Sequence, residues 1–331
     1  MSLEILEKYY KVKPESSIKD GRWTRYVQND SLYTIVPVTH IEQDTLIELY
    51  EISIHLAKYG DIKVSSFVAE TEGKFIITHE KQDYVLLKNR NLASKSGKNI
   101  GRMLAKFHER GKGIQFNITS MSRMGDWKEY WIKRLDQLEK VWHSVKQEKP
   151  DEEFGKLFIE SFPYYLGLCE NAIQYVTDTE LDITTQYAER GTVCHERFDD
   201  DLWSGTFEVR NPFDWVFDHG GRDIAEWVRD CYFRHTRSFQ PEMQKFFQGY
   251  LSIGPLSELS WRLIYARLLF PLHYFSCIEE YYIADSEWKQ KQLEEKIRRY
   301  IRDSTEYELF LKNFYEIAGA DKRKLPIIDW L

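Results

Sequence analysis

The hydrophobic period of the chain changes once, close to Lys88, and this change limits the fold more than any other feature. From residue 21 to residue 88, apolar residues alternate as they do in strands. Trp23–Val27 and Leu32–Val38 are β-rich runs about the polar turn Gln28-Asn29-Asp30-Ser31, which predicts a hairpin. Over 44–59, Leu46, Leu49, Tyr50, Ile52 and Leu56 gather on one helical face, and Gly60 is placed to end that helix. Strand-like runs follow at Val64–Ala69, Lys74–Thr78 and Tyr84–Leu87. This order predicts a small antiparallel sheet with one helix packed on it.

Beyond Lys88 the period becomes helical. Ile100, Met103, Leu104 and Phe107 fall at i, i+3, i+4 and i+7, with Gly111 at the expected C-cap. Asp126 is placed to cap a helix that buries Trp127, Tyr130, Trp131, Leu135, Leu138 and Trp142. Further helices fit 154–176, 223–235, 257–283 and 287–302, and the one β-rich island is Thr192–Trp215. The expected architecture is α+β and two-lobed: a small α/β lobe at 1–88 and a mostly helical lobe at 89–331. The loop near 192–215 would then lie at the lobe junction, where ligand sites concentrate.

Bulk properties exclude several function classes. Among 331 residues, 42% are apolar and 15% aromatic, too much core-forming surface for a disordered chain. A formal charge of −7 gives no general attraction to nucleic acid, and Lys322-Arg323-Lys324 is too short a basic run, flanked by Asp321 and Asp329. No nucleic-acid partner is expected. Cys169, Cys194, Cys231 and Cys277 lie far apart with no CxxC pair, as scattered buried thiols of a reducing compartment do. The N-terminus, MSLEILEKYY, carries acids where a signal peptide needs bases. The most apolar segment, Leu263–Ile278, is interrupted by Arg267, Pro271 and His273, so it reads as a buried helix and no membrane span is expected. A soluble protein made in the cytosol is the expectation.

The stretch VCHERFDDDLW, residues 193–203, has the outline of a catalytic loop: an apolar lead-in, a histidine, then acids. Gly101-Arg-Met-Leu-Ala-Lys-Phe-His108 resembles the LGxxLAxxHxxG helix of aminoglycoside and choline phosphotransferases. Asn211–Ala225 resembles their metal-binding segment, IDFxxxxxGxxxxDLA. On that match Asp223 is the downstream structural aspartate and Asp214 the nearest candidate for the metal aspartate, although the family's interval counts back from Asp223 to Asn211. Ala266–Phe275, Tyr281-Tyr282 and the terminal Pro-Ile-Ile-Asp-Trp-Leu331 are similar to bacterial spore coat proteins of the CotS type, above all their YutH branch. The resemblance spans essentially the whole chain and implies a protein-kinase-like fold.

Kinase-like enzymes place a strand lysine on the nucleotide phosphates, an aspartate at the hydroxyl proton, and an Asn and an Asp on magnesium. Laid on the phosphotransferase loop HGDxHxxN, His195 matches the histidine and Phe198 a common aromatic. Glu196 replaces the glycine, Arg197 stands at the base aspartate and Leu202 at the metal-binding asparagine. A guanidinium accepts no proton, and a leucine offers magnesium no oxygen. Val36 holds the lysine position, and the turn matched to the phosphate-covering loop, Gln28–Ser31, has no GxGxxG.

Asp199, Asp200 and Asp201 are the functional counter-reading: one replaces the base, another joins Asp214 on the metal. Their bland reading is a solvated acidic turn paired to Arg197. An arginine at position 197 turned onto Asp214 would mean that the protein fills its own site. His195 and His108 read as structural, and Glu48 or Glu51, without a lysine to pair, as surface charge. Cys194 and His195 are neighbours on a strand, face opposite ways, and make a poor nucleophile–base couple.

The resemblance together with these departures implies a non-catalytic, kinase-like spore coat protein. It would work by contacts with other coat proteins, without a cofactor, in the mother-cell cytoplasm and then in the coat. The alternative is a divergent small-molecule phosphotransferase that uses ATP and Mg through Asp199 and Asp214.

Overall fold

The structure, a computed structural model, describes residues 2–90, 99–183, 190–199, 202–203, 205–321 and 325–328. Asp200, Asp201, the basic run 322–324 and the terminal residues 329–331 lie outside the described residues. The chain divides into two compact units, residues 1–123 with 190–254, and residues 124–189 with 255–331.

The first unit opens with helix α1 (Ser2–Tyr10) and strands β1 (Ser16–Asp20), β2 (Trp23–Gln28) and β3 (Ser31–Pro37). Helix α2 (Gln43–Lys58) and strands β4 (Ser66–Val68), β5 (Ile76–His79) and β6 (Gln82–Arg90) follow. The strand order is β1-β2-β3-β6-β4, all antiparallel, and β5 shares the far edge of β6 with β4. The period-2 alternation has a direct cause, since the two sheet faces bury different partners. Val36, Val85 and Leu87 pack with Val38 and Leu46 of the α2 side, whereas Leu86, Tyr33 and Ile35 pack with Leu6 of α1.

The sheet is one strand and one helix larger than the sequence reading. β1, Ser-Ser-Ile-Lys-Asp, is almost wholly exposed and carries no apolar alternation, so no hydrophobic signal marks it. Its pairing with β2 nevertheless runs the full strand, from Ser16 opposite Val27 to Asp20 opposite Trp23. The turn Gly21-Arg22 between them rests on Gly21 at φ +59°.

The same unit contains α3 (Ile100–Lys112), strands β7 (Thr192–His195) and β8 (Trp215–Asp218), α6 (Gly221–Arg234) and α7 (Phe239–Leu251). β7 and β8 form a two-stranded antiparallel ribbon with His195 opposite Trp215. Gly111 does not cap α3, because the helix runs on to Lys112 and its cap is Gly113. Gly111 is needed for close approach instead: a Cβ there would lie 2.3 Å from Thr192 Oγ1 and 2.6 Å from Val193 N.

The second unit is helical: α4 (Trp127–Glu148), α5 (Glu153–Asp182), α8 (Glu258–Leu269), α9 (Leu272–Ile283), α10 (Glu287–Arg302) and α11 (Ser304–Ala318). The single helix expected over 257–283 is two, because Phe270 before Pro271 is extended at φ −63°, ψ 115°. The aromatic content fills this core. Tyr165 stacks on Tyr274 at 3.7 Å between centroids, Phe154 on Tyr281 at 3.6 Å and Trp131 on Phe270 at 4.7 Å. No helix among the described residues is long and apolar enough to cross a membrane.

Candidate functional site

The loop is held from below by one carboxylate. Asp223, in the first turn of α6, is fully buried and accepts three hydrogen bonds: from His195 N at 2.8 Å, from the His195 Nδ1 side at 2.7 Å and from the His108 Nε2 side at 3.2 Å. Burial works to raise this carboxyl, but the His195 imidazole and the bonds from both rings outweigh it and hold the pKa well below the usual range. His108 is sensitive to the same burial, which pulls its pKa down against the pull of Asp223, and its Nδ1 meets the Tyr250 hydroxyl at 2.8 Å. His195 is 1% exposed, with Phe107 stacked on its ring at 5.1 Å and Phe198 and Trp203 at 4.9 and 5.3 Å. Its Nε2 has no hydrogen-bond partner. Both histidines therefore serve packing and orientation here, away from solvent.

Arg222 fixes the next step of the backbone. Its guanidinium donates to His195 O at 2.9 Å, to Glu196 O at 3.2 Å and to Asp218 Oδ2 at 3.0 Å. Glu196 itself is exposed, and its N–H donates to Asp214 O at 2.8 Å. Arg197 is half-exposed and turned toward Glu226, with Nη1 3.8 Å from Oε2. Leu202 donates its N–H to Asp199 Oδ1 at 2.9 Å. Val36 lies in the sheet core beside Val38, Leu46, Val85 and Leu87.

Asp214 is nearly buried and does pair with an arginine, but that arginine is Arg22 from the β1–β2 turn, not Arg197. Burial raises the Asp214 carboxyl, and the neighbouring Arg22, His195 and Arg25 side chains oppose it. Arg22 also donates to Phe213 O at 3.2 Å and lies over the Trp23 ring, 4.8 Å from its centroid. On the same sheet face Arg25 is buried, donating to Thr34 Oγ1 at 2.7 Å and to Asp20 Oδ2 at 3.3 Å. Burial lowers the Arg25 pKa, and Asp20 and Asp214 work against that.

These groups line one cavity of about 260 Å³, which brings together Arg22, Arg25, Arg197, Asp199, Leu202 and Asp214. Asn211, the residue reached by counting back from Asp223, does not line it. Its Oδ1 accepts from Phe213 N at 3.1 Å and its Nδ2 is buried without a partner. The turn beside the cavity is Gly21-Arg22, whereas Gln28–Ser31 joins β2 to β3. The match of Gln28–Ser31 to the phosphate-covering loop fails, because β1, an exposed polar strand without apolar alternation, adds a turn ahead of it. Arg22 and Arg25 were missed for the same reason.

Glu48 also departs from expectation. It is 7% exposed rather than surface charge, and its carboxylate accepts from Thr119 N and Ser120 N at 2.8 and 2.9 Å and from Met121 N at 2.9 Å. Desolvation pushes its pKa up, but the backbone donors prevail and lower it. Glu51 is exposed. Among the described residues, His108, Cys194 and Asp223 bring ligand atoms within 4.8 Å of one another. They are occupied: His108 by Tyr250 and Asp223, and the Cys194 thiol by Asp218 O and His219 O at 3.6 and 3.5 Å.

Comparison with known proteins places this geometry. A family model described as "Spore coat putative kinase YutH" matches residues 3–314. The endospore coat-associated protein YutH of Bacillus subtilis (strain 168) is 41% identical over 329 residues, covering 99% of this chain and 97% of that one. Among solved structures, an aminoglycoside phosphotransferase from Alicyclobacillus acidocaldarius aligns with TM-score 0.63 at 13% identity, over 92% of this chain and 93% of that one. Spectinomycin phosphotransferase APH(9)-Ia, in complex with ADP and spectinomycin, aligns with TM-score 0.59 at 13% identity, over 96% and 97%. The fold is aminoglycoside phosphotransferase-like, with a small antiparallel sheet followed by a mostly helical remainder.

Proposed function

We propose that this chain, which belongs to the YutH family of spore coat kinase-like proteins, is a non-catalytic member that acts through contacts with other spore coat proteins during coat assembly. It would be deposited from the mother-cell cytoplasm onto the coat, in keeping with the coat association named for its Bacillus subtilis relative. The observation that carries the reading is the loop itself. Where phosphoryl transfer needs a proton acceptor, Arg197 reaches toward Glu226, and where it needs a metal-binding amide, Leu202 offers only methyls. Val36 leaves the lysine's place to core packing. No cofactor is required by this role.

The test is replacement in sporulating cells by a copy carrying Asp199→Ala and Asp214→Ala. Coats should still contain the protein at the parental level. Loss of incorporation by a variant that purifies folded would overturn the reading.

A second reading has one observation in its favour: Asp199 and Asp214 line the same cavity of about 260 Å³. In that case Asp199 would accept the hydroxyl proton, and Asp214, freed from Arg22, would hold a magnesium ion that neutralises charge on ATP. The two readings separate on nucleotide binding.

A further inference from the structure

The β1–β2 turn and the segment leading into β8 are tied at two points, across sequence separations of 192 and 186 residues. One tie is Arg22 on Asp214, reinforced by Arg22 on Phe213 O at 3.2 Å. The other is Asp20, whose Oδ1 accepts from Thr206 N at 3.1 Å while Oδ2 meets Arg25. Glycines permit both approaches. Gly21 at φ +59° makes the turn, and a Cβ on Gly205 would stand 2.8 Å from Asp20 Oδ1. A magnesium ion, which a kinase-like fold implies, would have to draw its oxygens here from Asp199 and Asp214 without the amide that such a site uses. Leu202 is apolar, Asn211 Oδ1 is engaged by Phe213 N, and the Asp214 carboxylate faces a guanidinium.

We propose that Arg22 is the resident cation of this site: its guanidinium takes the charge-neutralising place beside Asp214 and thereby latches the β1–β2 turn onto the 205–214 segment. Two properties suit it to the part. A guanidinium is planar with several donors, so it serves Asp214 and Phe213 O at once while its face rests on Trp23. Its side chain is 62% exposed against 12% for Asp214, so the latch can open from the solvent side while the carboxylate stays put. Another cation must displace Arg22 to reach Asp214 Oδ1. The purpose of the latch rests on the non-catalytic reading above, but its existence rests on geometry alone.

Hydrogen exchange read by mass spectrometry on the full-length protein tests it. In Arg22→Ala and in Asp214→Asn, amides of residues 16–28 should exchange about tenfold faster than in the parent, as local opening does when a tie is lost. Those of β3 and β6 should be unchanged, which guards against general unfolding. The double variant should exchange no faster than either single one, and Arg22→Lys should recover part of the protection. Exchange of 16–28 within about twofold of the parent in folded Arg22→Ala, well inside the opening a lost tie should produce, overturns the latch. So does strict additivity in the double variant, since coupled partners do not add. A parent that binds ATP with magnesium, while Arg22→Ala and Asp214→Asn still show the accelerated hairpin, contradicts the functional reading and leaves the latch standing.

Discussion

Replacing Asp223 should be the most damaging single change in the first unit. Asp223→Ala removes the acceptor for His195 N, the His195 ring and the His108 ring, all within 3.2 Å and all buried. A buried donor left unmet costs about 1–3 kcal/mol, and a carboxylate acceptor lies at the upper end of that range. An imidazole can shift its tautomer and withdraw one donor, so the three losses do not sum in full; about 3–5 kcal/mol is expected. That is a large part of the roughly 5–15 kcal/mol available to a domain. Asp223→Asn keeps one acceptor oxygen and should cost less, about 2–3 kcal/mol. Urea unfolding followed by tryptophan fluorescence and near-ultraviolet dichroism provides the assay, with the shift read from the midpoint at constant slope. An Asp223→Ala protein within about 1 kcal/mol of the parent would refute the view that this carboxylate anchors the loop.

Three further changes follow from the same geometry. Glu48→Ala strips the acceptor from Thr119, Ser120 and Met121 and should cost about 2–4 kcal/mol near neutral pH. Because the folded-state pKa of Glu48 is depressed, its contribution is complete above the ordinary glutamate value of about 4.3 and fades as pH falls through the folded value. Parent and variant stabilities, measured from neutral pH downward, should therefore converge in acid. Arg25→Ala leaves Asp20 and Thr34 without their buried donor and should cost about 2–4 kcal/mol in the same urea assay. Gly111→Ala should destabilise by about 1–3 kcal/mol, because its Cβ meets Thr192 Oγ1 and Val193 N and this outweighs alanine's helix propensity. A more stable Gly111→Ala protein in thermal unfolding would contradict the close approach.

The change of period at Lys88 carried most of the fold, because both sheet faces and the helix stripes are written in apolar spacing. The loop's anchor was legible too: His195 in the loop and Asp223 in α6 follow in a recognisable order, and the two meet in the structure. Two things were not legible. β1 is a strand of exposed polar residues, held by backbone pairing to β2 rather than by burial, so no periodicity records it. The partner of Asp214 is hidden as a consequence: Arg197 stands nearby in sequence, whereas Arg22 arrives from 192 residues away on the hairpin that β1 completes. Glu48 failed for a related reason. A glutamate on a helix looks solvated until the loop at 119–121 presents its N–H groups to it.

The most direct measurement is thermal unfolding of the parent protein with ATP and magnesium at millimolar concentration. A ligand at a hundred times its dissociation constant adds about 2.7 kcal/mol, a shift that such a scan resolves. With Arg22 on Asp214, and on the proposed reading of Arg197 and Leu202 as the residues that replace the base and the metal-binding amide, no change in the transition is expected. A magnesium-dependent rise that Asp214→Ala abolishes would contradict a non-catalytic site.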